Sequence, residues 1–235
     1  MKKSTIFTSV LFLFSAMVLN AQEMKYGVKG SFLASTFSST DDGMYGFRPG
    51  YSVGGYFQYN LSDELGVSVE PAYALKGANK FDAYNLYDPQ SPLFWNGTSS
   101  IKYKQHDISL SVIEVPVLVH LNMSVGNGSV FRIFTGPSID FITKATLNST
   151  REYEPTEGFV YDFNSAVDVT DRFSYVDYGI QAGVGFDIDM EPVGITLEIK
   201  YRYGFSDVNN VEGKPSMNSQ NIAVSLGIGL EKLFD

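Results

Sequence analysis

The chain has 235 residues, no cysteine and a formal net charge of −9 at pH 7, which excludes disulfides, thiol catalysis and thiolate metal sites and disfavours nucleic acid as a partner. Its length suits a single domain, and no linker, repeat or low-complexity tract divides it. Aromatic residues make up 14% and glycines number 22, yet mean hydropathy is only −0.04, too polar for helical membrane spans but compatible with strands that alternate apolar and polar residues.

The first segment reads as a targeting signal. Lys2 and Lys3 precede an apolar run through Leu19, and Asn20-Ala21-Gln22 supplies a small residue before a cut. The run is shorter than the roughly 20 residues of a membrane helix. Residues 1–21 are therefore predicted to be a cleaved signal peptide, and 22–235 a single exported domain. Loss of the two signal lysines takes the charge to about −11.

Beyond the signal, apolar residues recur with a period of two, which predicts strands. In chain order these fall at about 25–35, 50–60, 65–76, 108–121, 130–142, 174–188, 193–206 and 220–234. Most reach the roughly 9 to 11 residues that cross a bilayer at a tilt. One face is apolar throughout, as in Ile113, Val115, Val117, Val119 and Leu121, or Ile195, Leu197, Ile199, Tyr201 and Tyr203. The other carries Lys29, Glu70, Lys76, Glu114, His120, Arg132, Asp140, Asp177, Asp187, Glu198, Lys200 and Arg202, interleaved with glycines such as Gly54, Gly136, Gly179 and Gly183. One irregularity stands out in the fourth strand. Ile108, Leu110 and Val112 have the opposite parity to Ile113 through Leu121, so a β-bulge is predicted near Ser111 to Ile113.

Three features place the apolar face outside. A barrel of about eight strands has an interior only just wide enough to be filled by side chains, too narrow for this bulky face. Glycines share the charged face, as a crowded lumen requires. Aromatics gather at the ends of the apolar face, with Tyr26, Tyr59, Phe131, Phe186 and Phe234 at one rim and Tyr51, Tyr73, Phe141, Tyr178, Tyr203 and Phe205 at the other, as interfacial girdles do. Connections alternate: short at 61–64, 122–128 and 189–192, long and polar near 37–49, 77–107, 143–173 and 207–219. The expected fold is all-β, a single closed antiparallel up-and-down β-barrel of about eight transmembrane strands with short periplasmic turns and long extracellular loops. A soluble periplasmic carrier of lipocalin type, with the apolar face turned inward, is the rival architecture.

Centring the 189–192 turn between Met190 and Glu191 sets Gly183 opposite Glu198, Gln181 opposite Lys200 and Gly179 opposite Arg202. Long charges over small residues, with Glu70, Glu114 and Arg132 on nearby strands, predict an ion-pair network of Glu70, Glu114, Arg132, Glu198, Lys200 and Arg202 that fills the lumen and leaves no continuous pore.

Six segments carry a family resemblance: Tyr26-Gly-Val-Lys-Gly, Val69-Glu-Pro-Ala-Tyr, Ile113-Glu-Val-Pro-Val-Leu-Val, Thr135-Gly-Pro-Ser, Asp177-Tyr-Gly-Ile with Ala182-Gly-Val-Gly, and Glu198-Ile-Lys-Tyr-Arg-Tyr-Gly. In this order along the mature chain they resemble the PorT-type outer-membrane barrels. The resemblance implies an eight-stranded outer-membrane barrel, usually with no assigned activity. The eponymous member serves protein secretion, a role that kinship of fold does not transfer. The ending Leu233-Phe234-Asp235 departs from the family's aromatic last residue, though Phe234 keeps outward parity for the barrel-assembly machinery.

Few residues invite chemistry. His106 and Asp107 with Ser109 or Ser111 hold the ingredients of a triad, but sequence neighbours on a strand point to opposite faces, which favours a solvated loop edge. His120 reads as a lumen residue hydrogen-bonded to carboxylates rather than a metal ligand, since the chain has 2 histidines and no pair at ligand spacing. Asp41-Asp42-Gly43 and Asp162, Asp168 and Asp171 lack EF-hand spacing. Asn96-Gly-Thr and Asn148-Ser-Thr are incidental sequons in a bacterial barrel. Tyr84, Tyr87, Phe94 and Trp95 in the second long loop either contact lipopolysaccharide or a partner, or pack locally over the barrel top. No cofactor is implied. The expected partners are outer-membrane lipid and lipopolysaccharide, the assembly machinery and envelope proteins. Three roles follow: a structural or surface-interaction barrel working through the loops at 77–107 and 143–173, an accessory to an outer-membrane secretion system, or, least supported, a lipid-acting barrel enzyme.

Overall fold

The computed structural model describes residues 24–41, 43–81, 86, 101–126, 128–153, 161–190 and 193–230, with side chains at all but 101–105, 150–153 and 161–165. Eleven antiparallel strands run through them: β1 (Met24–Ser39), β2 (Gly43–Met44), β3 (Gly46–Asn60), β4 (Leu65–Val69), β5 (Ala72–Asn79), β6 (Ile101–Gly126), β7 (Ser129–Tyr153), β8 (Tyr161–Asp168), β9 (Val176–Met190), β10 (Val193–Gly204) and β11 (Met217–Gly229). β1 pairs with both β3 and β11, which closes the sheet on itself. Closure matters because an open edge in hydrocarbon would leave backbone groups unpaired.

β4 and β5 form one stave. They keep the same register against β6, and against β3 as far as the shift between Phe47 and Tyr51, and are separated only at Glu70 and Pro71. Pro71 has no N–H to give the ladder. The Glu70 amide donates to the Pro116 carbonyl at 3.1 Å, and the Gly55 amide to Pro71 at 3.0 Å, so pairing continues across the break. Eight staves thus make the ring. β2 and β8 lie outside it, extending the long-loop ends of β1 and β7.

Alternation governs which side each residue takes. Val117, Val119 and Leu121 of β6, Leu197, Ile199 and Tyr201 of β10, and Ile222, Val224 and Leu226 of β11 face outward and are exposed, while Glu70, Glu114, Arg132, Glu198 and Arg202 point inward and are buried. An outward apolar face with an inward charged one is the reverse of a soluble carrier, and rules that architecture out. Tyr51, Tyr73, Tyr178, Tyr203 and Phe205 stand exposed toward the long-loop rim, and Phe186 toward the short-turn rim. Phe234 lies outside the described residues.

Two local expectations need correction. The irregularity at Ser111/Val112 is present, but the extra residue is Thr143 on β7: Ser111 pairs with Lys144 and Val112 with Ile142. β6 itself keeps its parity, so Ile108, Leu110 and Val112 all point inward. They change partner environment instead of face, because the barrel interior turns apolar at that height. The β9–β10 hairpin is also shifted by two residues. Gly185 faces Glu198, Gly183 faces Lys200 and Gln181 faces Arg202. A two-residue shift preserves the face of every side chain, so large residues still lie over small ones.

Candidate functional site: the barrel interior

The lumen is built in layers along the strands. Nearest the short turns, the inward positions of β1, the β4–β5 junction, β7 and β10 present Lys29, Glu70, Arg132 and Glu198. Lys29 Nζ lies 2.8 Å from Glu70 Oε2 and 2.9 Å from Glu198 Oε1, and its ammonium sits 5.2 Å from the Tyr56 ring centroid. Arg132 grips Glu198 through Nη2, and through Nη1 reaches Asp187 and Gln58, each at 3.1 Å. Lys200 adds a longer contact to Glu70 at 3.6 Å. Three cations thus meet three carboxylates, the balance that burying charge demands. Glycine makes the room. A Cβ on Gly185 would stand 2.9 Å from Arg132 Nε, and one on Gly183 would stand 2.6 Å from the Phe134 ring.

A second group lies further along the strands. Lys76 bridges Glu114 at 2.8 Å and Asp140 at 2.7 Å, while Arg202 reaches Asp140 at 3.3 Å and Asp177 at 3.0 Å. Gln181 donates to Glu114, and Ser138 donates to Asp140 at 3.2 Å. Of the six residues singled out from sequence, Glu70, Arg132, Glu198 and Lys200 come together in the first group, and Glu114 and Arg202 in the second. Lys29, Lys76, Asp140, Asp177 and Asp187 complete them. Gln58, Gln181 and Ser138 carried no charge signal, so only their inward parity could have marked them.

Above the charges the interior is apolar. Phe37, Tyr45, Phe81, Leu110, Ile142, Leu147, Phe173, Val208 and Met217 form one buried cluster with their neighbours. Phe37 packs against Phe81 and Phe173 at centroid distances of 6.4 and 6.2 Å. Chain segments after β8 and after β10 fold inward to complete it, joined by the Phe173↔Asn209 bridge and by Asn210 N donating to Arg172 O at 2.9 Å. The signal for this cap was the inward apolar run at 108–112. At the opposite end, below the charges, the lumen opens into a cavity of about 390 Å³ lined by Lys25, Tyr56, Gln58, Arg132, Asp187 and Thr196 among others.

The remaining candidates occupy separate places. His106 Nδ1 lies 2.8 Å from Ser149 Oγ, and Asp107 accepts from the Lys80 amide. His120 is fully buried with Nε2 2.7 Å from Ser68 Oγ, and Ser68 donates on to Glu70 at 3.2 Å. A serine therefore stands between this imidazole and the carboxylate expected beside it. Asp168 accepts from the Thr170 hydroxyl at 2.6 Å and amide at 3.0 Å, which hold its carboxyl below the usual value. Among the described residues no group of three or more His, Asp or Glu side chains gathers that could hold a metal ion. Tyr84, Tyr87, Phe94 and Trp95 lie outside the described residues, as do Asp42 and the side chain of Asp162.

Residues 20–210 match the outer membrane protein beta-barrel domain family. No curated protein sequence matches significantly. Solved structures of similar shape include Neisserial surface protein A, at 14% identity and TM-score 0.46 over 88% of this chain and 99% of that one. Ail, the attachment invasion locus protein of Yersinia pestis, solved in complex with the heparin analogue sucrose octasulfate, aligns at 10% identity and TM-score 0.38 over 88% and 99% of the two chains. The outer membrane protease OmpT of Escherichia coli aligns at 9% identity and TM-score 0.37 over 88% and 94%.

Proposed function

The chain belongs to the outer membrane protein beta-barrel domain family, and from that premise we propose that it is a non-enzymatic surface-interaction barrel, exported by a cleaved signal peptide at 1–21. One observation carries the reading. β6 and β7 pair on to Ile101↔Tyr153, and β8 joins β7 along Thr146 to Tyr153, whereas β5–β6 pairing stops at Ala78↔Ile108 and β7–β9 pairing at Phe141↔Val176. A three-stranded ribbon thus stands beyond the ring on the extracellular side. At about 3.3 Å per residue, β7 past Phe141 reaches roughly 40 Å. Among the described residues β8 pairs only with β7. Such an edge offers backbone donors and acceptors to an added strand of a partner protein.

The filled lumen supports this reading over a porin role, since two ion-pair layers and an apolar cap occupy the path a solute would take. Outer-membrane lipid and lipopolysaccharide are the proposed surroundings of the exposed Tyr51, Tyr73, Tyr178 and Tyr203. The six motifs from Tyr26 to Gly204 favour placing the chain beside the PorT-type barrels, without that family's export role.

The test joins Ser149 to Ser165, which are paired across β7 and β8, by an Asn-Gly turn in place of residues 150–164. The shortened chain is expected to keep heat-modifiable gel mobility and to lose the envelope or surface proteins that the full barrel captures. Equal capture by both forms would overturn the proposal.

A further inference from the structure

We propose that the free edge of β8 selects a partner strand of one chemistry, with basic residues six positions apart on one face and apolar residues on the other. This rests on the reading of the ribbon as a strand-accepting edge and adds what that edge prefers. Strand pairing fixes the rows of the ribbon. Lys102, Glu152 and Asp162 fall in one row across β6, β7 and β8. Lys102 flanks Glu152 on the far side, so the neighbour that Asp162 meets in this row is a like charge. Like charges opposite each other on adjacent strands are unfavourable, and a cation on the next strand offsets them. Asp168 has the same parity as Asp162 and is exposed. The Thr170 hydroxyl and amide both donate to its Oδ1, so Oδ2 keeps its acceptor capacity.

The alternate positions differ in kind. Tyr161, Phe163 and Val167 share the other parity of β8, and Val167 packs against the apolar cap. A strand laid along β8 therefore meets acidic positions about 20 Å apart on one face and apolar positions on the other. The even spacing serves a parallel or an antiparallel strand alike. A second copy of this chain does not fit. Antiparallel pairing of two β8 strands centred on Ser165 would set Asp162 opposite Asp168, and the chain as a whole carries a net charge of −9. The charges that bar self-pairing are the ones that favour a basic partner.

The full mature barrel in lipid nanodiscs is titrated with the capped peptide Val-Lys-Val-Thr-Tyr-Thr-Val-Lys and with its counterpart carrying Glu for both Lys, following the amide resonances of Ala166 and Val167. Saturable shifts with the lysine peptide are expected, about tenfold tighter than with the glutamate peptide and weakened about fivefold or more by Asp162→Asn combined with Asp168→Asn. The asparagine at 168 keeps an oxygen for Thr170, and the Met217 resonance of the cap serves as the folding control. Equal affinity for the two peptides, unchanged affinity in the double variant, or no saturable shift with the lysine peptide would each overturn the proposal. Equal binding of both peptides that is lost in the barrel shortened at 150–164 would do so while leaving the edge reading intact, whereas equal binding by full and shortened barrels would overturn both.

Discussion

Glu198 links two cations of the lower ion-pair layer, since it meets both Lys29 and Arg132 and is 2% exposed. Removing one member of a buried charge set strands the others, and Glu198→Ala is expected to cost about 3 kcal/mol. Urea titration of the folded barrel in lipid vesicles reads this directly, and a loss below about 0.5 kcal/mol would contradict it. Gly136 tests the packing of backbone on backbone. A Cβ there would stand 2.0 Å from the Val117 carbonyl oxygen, and since a neighbouring strand cannot yield like a side-chain tip, Gly136→Ala is expected to cost about 1–3 kcal/mol in the same titration. At this scale the sequence shows the face each charge occupies, because strand parity is strict. It does not show partners. Lys76 and Asp140 meet over the intervening β6, and Lys29 meets Glu198 over β11 only because β1 pairs with β11 and closes the ring.

At the scale of elements, the single extra residue Thr143 decides the character of the upper interior. It reverses the parity of β7, so that Ala145 and Leu147 turn inward opposite Leu110 and Ile108. Deleting Thr143 is expected to send those residues outward and unmake the cap while the lower staves still pair. Protease digestion of vesicle-bound protein from outside would then cut the extracellular segments faster than in the parent, with heat-modifiable mobility retained. Equal digestion rates would show that the cap does not depend on the bulge. The eight staves were legible in sequence to within a few residues over most of their length, because alternation is a strong signal where one side meets lipid. Legibility failed where that contrast ends. Near the upper end of the ring, where β6 still pairs with β5 but the interior turns apolar, Ile108, Leu110 and Val112 looked like an outward set displaced by one. The two-residue error in the β9–β10 register has another cause: the face pattern is identical for any even shift, so turn geometry alone fixes it.

For the molecule as a whole, the layers form an axis with unlike ends: an open vestibule at the periplasmic side, two ion-pair layers, an apolar cap, and a strand ribbon beyond. The lumen is packed and the sides are apolar, which leaves the ribbon as the surface proposed for a protein partner. The central claim, a lipid-facing apolar wall around a filled charged interior, can be read along one stave. The chain has 0 cysteines, so single cysteines at 222 to 226 of β11 can carry spin labels without background. Outward Ile222, Val224 and Leu226 alternate there with inward Ala223 and Ser225. In lipid vesicles, labels at 222, 224 and 226 are predicted to relax strongly with oxygen and weakly with a water-soluble nickel complex, and labels at 223 and 225 weakly with both. Strong relaxation by nickel at 223 and 225 would reveal a water-filled channel and contradict the account.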